Sequence, residues 1–295
     1  MPVAVFSQAS GPRRLGKVFK DHLIDLSVAA PALPRDILGF LTAGQAALDT
    51  FHALGSDSPG QIALADVTLH APVDRPEKFL AIGMNYADHA AEARAAGIDT
   101  PQWQVWFNKQ VSCINDPFAP VVAPRVSEKL DYEAELAVVI GRRCRYLTPD
   151  QAPAVVAGYL VANDVSARDW QMRTGTITLG KSFDTHGPLG PWLTLADEIA
   201  DPHALDIRMY VNGELRQSGN TRHLIHDVWQ QIAYLSQVMT LKPGDVLATG
   251  TPAGVGAAMK PPVFLRPGDV MRAEIAGLGH IENRIIADDG QGNSQ

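Results

Sequence analysis

Leu130-Asp-Tyr-Glu-Ala-Glu-Leu-Ala-Val-Val-Ile140 carries two carboxylates one residue apart, Glu133 and Glu135, and ends in an unbroken apolar run. That run reads as a buried β-strand, since a short continuous stretch of branched aliphatic residues suits a strand covered on both faces. Successive side chains of a strand point to opposite faces, so Glu133 and Glu135 project the same way. Two like charges this close raise each other's pKa unless positive charge lies between them. A divalent cation is one answer, and a solvent-facing strand with two tolerated acids is the other. The apolar flank favours burial, and with it the ion.

A third carboxylate, Asp164, stands in Gly158-Tyr-Leu-Val-Ala-Asn-Asp-Val-Ser-Ala-Arg-Asp-Trp-Gln171. There an apolar strand, Tyr159 to Ala162, runs into Asn163-Asp164, and strand ends that open onto loops often carry functional side chains. Taken alone, Asp164 reads equally well as a helix N-cap. Three carboxylates with no Cys or His pattern beside them make an all-oxygen site. Oxygen donors favour Mg²⁺ or Mn²⁺, with Ca²⁺ as a further hard ion, over Zn²⁺.

Working outward, Val73-Asp-Arg-Pro-Glu-Lys78 reads as a linker, because Pro72 and Pro76 discourage regular structure. It separates a small N-terminal domain (1–73) from a main domain (77–288), with 289–295 as a flexible tail. A helical stretch is expected over Ile37 to Leu54, and another from about Asp88 to Ala96, stopped at Gly97. Ile207 to Val211, Asn212-Gly213 and Glu214 to Gln217 read as a hairpin, since Asn-Gly suits a type I′ turn. His223 to Leu241 is the clearest helix, with Leu224, Ile225, Val228, Trp229, Ile232, Leu235, Val238 and Met239 on one face. Strands outnumber helices after residue 100. The expected class is α+β, mostly β, with a mixed β core and a few outer helices.

The 295 residues carry 25 basic and 32 acidic side chains and 46% hydrophobic residues, a composition suited to a soluble globular protein. No Lys/Arg-rich block argues for nucleic acid. No run reaches the ~18 apolar residues of a membrane span. The first residues lack the charged-then-apolar layout of a signal peptide. Two cysteines, Cys113 and Cys144, make no disulfide framework. A cytoplasmic, reducing setting is expected.

Five segments occur in order: Gly83-Met-Asn-Tyr-Ala-Asp-His-Ala-Ala-Glu92, Asp131-Tyr-Glu-Ala-Glu-Leu136, Asn163-Asp-Val-Ser-Ala-Arg-Asp-Trp-Gln171, Gly180-Lys-Ser-Phe-Asp-Thr185 and Thr249-Gly-Thr-Pro-Ala-Gly-Val-Gly256. Together, from roughly Phe79 to Ile286, they resemble the fumarylacetoacetate hydrolase family. The resemblance implies that family's β-roll fold, usually assembled as a homodimer. It also implies metal-dependent hydrolysis of a C–C bond in a 2,4-dioxo acid such as an acylpyruvate or fumarylpyruvate, with a pyruvate-like enolate stabilised by the ion and Lys181. The same apparatus can decarboxylate oxaloacetate, or hydrate or isomerise a related enol acid. A non-catalytic, metal-binding family member is a further alternative.

His89 and Glu92, spaced i and i+3 on a short helix, share a face, and a carboxylate beside an imidazole orients it as a base. By spacing alone they are an ordinary surface pair. The resemblance makes them the base dyad, on a segment that often closes over substrate as a lid. Larger family members use a fourth metal carboxylate upstream of the histidine. Neither Asn85 nor Asp88 falls at that spacing, which favours the smaller, acylpyruvase-like branch. Lys181 offers a cation for a substrate carboxylate or enolate oxygen. Arg168 and Gln171 follow Asp164 on what reads as one helical face and serve the metal shell or the substrate. Alternatively, Arg168 pairs structurally with Asp169 or Glu133. Thr249 to Gly256 frees backbone amides that can cradle a carboxylate or oxyanion, with Thr251 the residue named for substrate contact. The stretch lacks the Gly-Lys-Ser/Thr ending of a nucleotide loop. Specificity is assigned to loops such as Thr100 to Trp106.

Overall fold

The computed structural model describes residues 1–95, 97 and 102–290. At its centre lies the strand Ala134–Ile140, with every residue buried. It pairs antiparallel with Val156–Asn163 on one side and Val246–Ala248 on the other. The sheet continues through Gly187–Leu195 to Val3–Ser7, Arg14–Val18, His22–Asp25 and Gln61–Ala63 at one end. At the other end it passes through Phe79–Gly83, parallel to Val246–Ala248, to Val105–Lys109. A second sheet runs Glu214–Asn220, Asp206–Val211, Val270–Ile275, Gly279–Ala287 and Val121–Ala123.

Alternation along the central strand divides the interior in two. Ala134, Leu136, Val138 and Ile140 face a core shared with the second sheet (Ile207, Met209, Met271, Ile281) and the helix Val228–Val238. Ala137 and Val139 face the opposite core, with Phe79, Phe107 and Leu160. That second core extends without a break to Phe40 and Phe51 of the N-terminal helices. Segment 1–73 therefore extends the main sheet through the pairing of Val3 with Leu193 and shares its core. A chain of hydrogen bonds adds to the joint: Ser7 Oγ to His70 Nε2 at 2.9 Å, and His70 Nδ1 to Asp116 Oδ2 at 2.8 Å.

Several elements differ from the sequence expectation. The stretch Leu130–Ile140 is two strands, because Leu130–Asp131 pairs instead with Ser166–Ala167 in a separate ribbon. Ile37 to Leu54 is two helices, Ile37–Thr42 and Gln45–Ala53, broken at Gly44. The helix expected over His223 to Leu241 is shorter, Val228–Val238. Asp227 caps it, accepting from Gln230 N while Gln230 bonds back to the Asp227 amide. Before Asp227 the chain makes a 3₁₀ turn, Thr221–His223, and then bends against Asn85, with Ile225 N donating to Asn85 O at 2.7 Å. Ile225 and Val238 consequently lie outside the apolar face, 42% and 64% exposed. The hairpin forms as expected, with Asn212 and Gly213 at φ 52° and 79°. The helix near His89 spans Ala87–Ala95; Ala96, the Thr100-Pro101 start of the expected specificity loop and tail residues 291–295 lie outside the described residues.

Candidate metal centre

Glu135 extends the Ala137–Val139 face of the central strand, and Glu133 precedes that strand by one residue. Backbone pairing runs on past the strand ends. Asp164 N donates to Glu133 O at 2.9 Å, and Glu133 N donates to the Asn163 side-chain oxygen at 3.0 Å. Asp164 is thereby fixed beside Glu133. All three carboxylates are buried, at 5% (Glu133), 1% (Glu135) and 1% (Asp164) exposure. Their ligand oxygens lie within 4.8 Å of one another. Oxygens on opposite sides of a hard divalent ion, at bonds of about 2.1–2.4 Å, sit about 4.2–4.8 Å apart, so the cluster has the dimensions for one ion. Among the described His, Cys, Asp and Glu residues the group holds three members, and Asp88 is not one of them.

Three cations, Lys109 and Lys181 buried and Arg168 partly so, surround the carboxylates unevenly. Lys181 Nζ donates to Glu133 Oε2 at 2.6 Å and to Asp164 Oδ2 at 2.7 Å. Arg168 Nη1 lies 2.8 Å from Glu133 Oε1, and its Nε donates to Asp131 at 2.9 Å. Lys109, fully buried, donates to Asp164 Oδ1 at 2.6 Å and to the Lys181 carbonyl. Burial works to raise the Glu133 pKa, but Lys181 and Arg168 outweigh it and hold the carboxyl at about 2. Glu135 moves the other way. Burial first, then the charges of Asp164 and Glu133, push it well above the ordinary carboxylate value. Its one hydrogen bond comes from Gly250 N at 2.8 Å, and it forms no ion pair among the described residues. The cluster therefore lacks positive charge at Glu135, which a divalent ion would supply. Since each oxygen held by a lysine or arginine keeps a second lone pair, the donor set fits such an ion.

His89 Nδ1 lies 3.1 Å from Glu92 Oε2, and the His89 charge is felt at Glu133. Glu92 Oε1 accepts from Gly254 N at 3.3 Å, which holds the Ala87–Ala95 helix against the glycine-rich turn. This turn cradles carboxylates, as its composition suggests, but they belong to the protein itself. Gly250 N bonds Glu135, while Gly256 N and Ala257 N bond Asp131 at 2.8 and 2.9 Å. Thr251 is 4% exposed; its hydroxyl donates to Ala134 O at 2.9 Å and accepts from Gln217 at 2.8 Å. In this arrangement it braces the central strand. Gln171 accepts from Arg168 Nη1 at 3.0 Å. Of the two structural partners weighed for Arg168, Glu133 is the one it meets, while Asp169 accepts from Ser127.

The structure adds residues that spacing did not single out: Lys109, Asp131, Asn85 and Gln217. Lys109 left one trace in the sequence, a lone cation closing the strand-like Val-Trp-Phe-Asn-Lys109. Asn85 clamps the site's floor, donating to Thr249 O at 2.8 Å and His226 O at 3.0 Å. A Cβ on Gly250 would come within 2.8 Å of the Asn85 Cβ, so the close approach depends on that glycine.

Buried oxygen donors beside a His–Glu pair, carried on a mixed β fold, are the makings of a metal-dependent enzyme. The chain belongs to the fumarylacetoacetate hydrolase family: residues 78–286 match the family described as Fumarylacetoacetate (FAA) hydrolase C-terminal. It is 46% identical over 267 residues to a Bos taurus protein named oxaloacetate tautomerase FAHD2B, mitochondrial, covering 90% of this chain and 84% of that one. Among solved structures, fumarylacetoacetate hydrolase from psychrophilic Exiguobacterium antarcticum superposes with TM-score 0.83 at 37% identity, over 98% of this chain and all of that one. Maleylpyruvate hydrolase from Sphingobium sp. SYK-6, in complex with manganese(II) and pyruvate, gives TM-score 0.82 at 33% identity, with the same coverage.

Proposed function

We propose that the protein interconverts the enol and keto forms of a 2-oxo dicarboxylic acid of the oxaloacetate type, through an enolate and with a divalent metal ion, Mg²⁺ or Mn²⁺. The observation that carries this reading is Glu135, buried with two neighbouring carboxylates, without a cation of its own, and held by the same glycine-rich turn that bonds Glu92. The name of the bovine relative supports the choice of substrate. Glu133, Glu135 and Asp164 would hold the ion. When bound, it supplies positive charge that favours the enolate form of a 2-oxo acid.

The chain's own groups then divide the work. Glu92 orients His89 through Nδ1, leaving Nε2 to take the proton next to the substrate carbonyl and return it to oxygen. Arg168 Nη2 is buried and has no hydrogen-bond partner among the described residues, so it is the donor available for a substrate carboxylate. Gln171 steadies that guanidinium. Lys181 lends positive charge where the enolate oxygen develops. A cytoplasmic, soluble setting belongs to the proposal. No described helix is long and apolar enough to cross a membrane, and the bovine relative is named as mitochondrial.

One observation favours a second reading, hydrolysis of a C–C bond in an acylpyruvate. The His89–Glu92 pair has the arrangement of a base that activates water, and the Sphingobium neighbour is named as a maleylpyruvate hydrolase. Enolic oxaloacetate, maleylpyruvate and acetylpyruvate, assayed side by side with Mn²⁺ and after chelation, separate the two. Tautomerisation is expected to accelerate most and to fail on chelation. Rapid acylpyruvate cleavage with no effect on oxaloacetate would overturn the first reading in favour of the second.

A further inference from the structure

Tyr86 is the largest fully buried side chain among the described residues, at 0% exposure. Its hydroxyl has no hydrogen-bond partner among the described residues. A hydroxyl buried without a partner costs stability, and phenylalanine would fill the same space without that cost. The position of the residue suggests why the oxygen is there. Tyr86 forms an isolated β-bridge with Leu224 and directly precedes the Ala87–Ala95 helix that carries His89 and Glu92. Its neighbour Asn85 is clamped to Thr249 O, one residue from Gly250, whose amide holds Glu135. Along the chain, Tyr86 thus links the clamped Asn85, beside the turn that holds Glu135, to the helix that carries His89 and Glu92. Burial, with the negative charges of Glu135 and Asp88 behind it, keeps the phenol protonated. The group is a donor without an acceptor, next to a site whose ligands are rich in oxygen.

We propose that Tyr86 is a further substrate-binding residue, whose hydroxyl donates a hydrogen bond to an oxygen of the 2-oxo acid held at the carboxylate cluster. The substrate class rests on the function proposed above. The missing partner is then the substrate, and the protein bears an unsatisfied hydroxyl between turnovers in order to recognise it.

The test uses the full chain carrying Tyr86→Phe, with oxalate as an oxygen-rich stand-in for an enolised 2-oxo acid. Three quantities are measured: the melting temperature without metal, Mn²⁺ affinity, and oxalate affinity of the Mn²⁺-loaded protein by calorimetry. The metal-free melting temperature is expected to hold or rise, Mn²⁺ affinity to stay within twofold, and oxalate affinity to fall about tenfold, the loss of one ligand hydrogen bond. Oxalate affinity within twofold of the parent overturns the proposal, as does a lower metal-free melting temperature with both affinities unchanged. Loss of Mn²⁺ affinity alone also overturns it, since the hydroxyl would then serve the ion. Should the variant fail to fold, a crystal structure of the unmutated protein with Mn²⁺ and oxalate decides: Tyr86 Oη within hydrogen-bond distance of oxalate supports the proposal, and any other placement ends it. A protein inactive on oxaloacetate whose variant still loses oxalate affinity removes the reaction assignment and leaves Tyr86 in place.

Discussion

At Glu135 burial and the charges of Asp164 and Glu133 act in the same direction, while at Glu133 the nearby Lys181 and Arg168 reverse the effect of burial. Without an ion, the raised Glu135 contributes stability below the ordinary carboxylate value of 4.5, and that stability is lost as pH rises through its folded pKa. Glu133, depressed to about 2, contributes stability above 4.5 that is lost as pH falls toward 2. Glu135→Gln is therefore expected to leave the metal-free protein at least as stable near neutral pH. It should also flatten the pH dependence of stability above 4.5 and abolish the rise in melting temperature that Mn²⁺ gives the parent, all readable by thermal unfolding across pH. A Mn²⁺ response that survives this change would remove Glu135 from the ion site. His89→Ala should retain Mn²⁺ binding but lower the rate by about 10²–10⁴-fold, the usual worth of a positioned base. Glu92→Gln should act in the same direction and more mildly. Oxaloacetate decarboxylation needs no base to activate water and should survive His89→Ala better than acylpyruvate cleavage. Equal losses would instead make His89 a residue that positions substrate.

Among the elements, the helix Val228–Val238 shows how a local cap and a distant contact set a boundary together. Apolar periodicity extends back to Leu224, yet the Asp227–Gln230 capping box starts the helix at Val228. Asn85 meanwhile holds the His226 amide at 2.9 Å in a bend outside the helix. Asp227→Ala is expected to cost about 1 kcal/mol in urea unfolding, the ordinary worth of an N-cap, with Mn²⁺ affinity unchanged because the cap lies outside the carboxylate cluster. A loss of several times that size would mean that Asp227 also supports the Asn85 clamp. The strand Leu130–Ile140 is the complementary case. Period-2 alternation correctly joins Glu133 and Glu135 on one face, but the break at Tyr132-Glu133 and the transfer of Leu130–Asp131 to another ribbon depend on Ser166–Ala167, distant in sequence.

On the scale of the whole molecule, apolar side chains remain uncovered around the Arg168–Lys181 segment: Val126 is 55% exposed, Met172 73% and Leu179 58%. A homodimer that covers them is expected, so sedimentation at micromolar concentration should give twice the 31.8 kDa chain mass. A monomer under those conditions would leave the exposed residues without an assigned cover. The sequence by itself determined the buried central strand, the shared face of Glu133 and Glu135, the His89–Glu92 pair and the hairpin at Asn212-Gly213. Each of these is fixed by a period or turn preference acting over a few residues. Only the tertiary structure decided that Lys109 reaches Asp164, that the glycine-rich turn holds Glu135 and Asp131, and that segment 1–73 shares a core with Phe79 and Phe107. Those outcomes depend on hydrogen bonds and packing between residues tens to hundreds of positions apart, and a buried charge selects its partner by position in space, which no local spacing encodes.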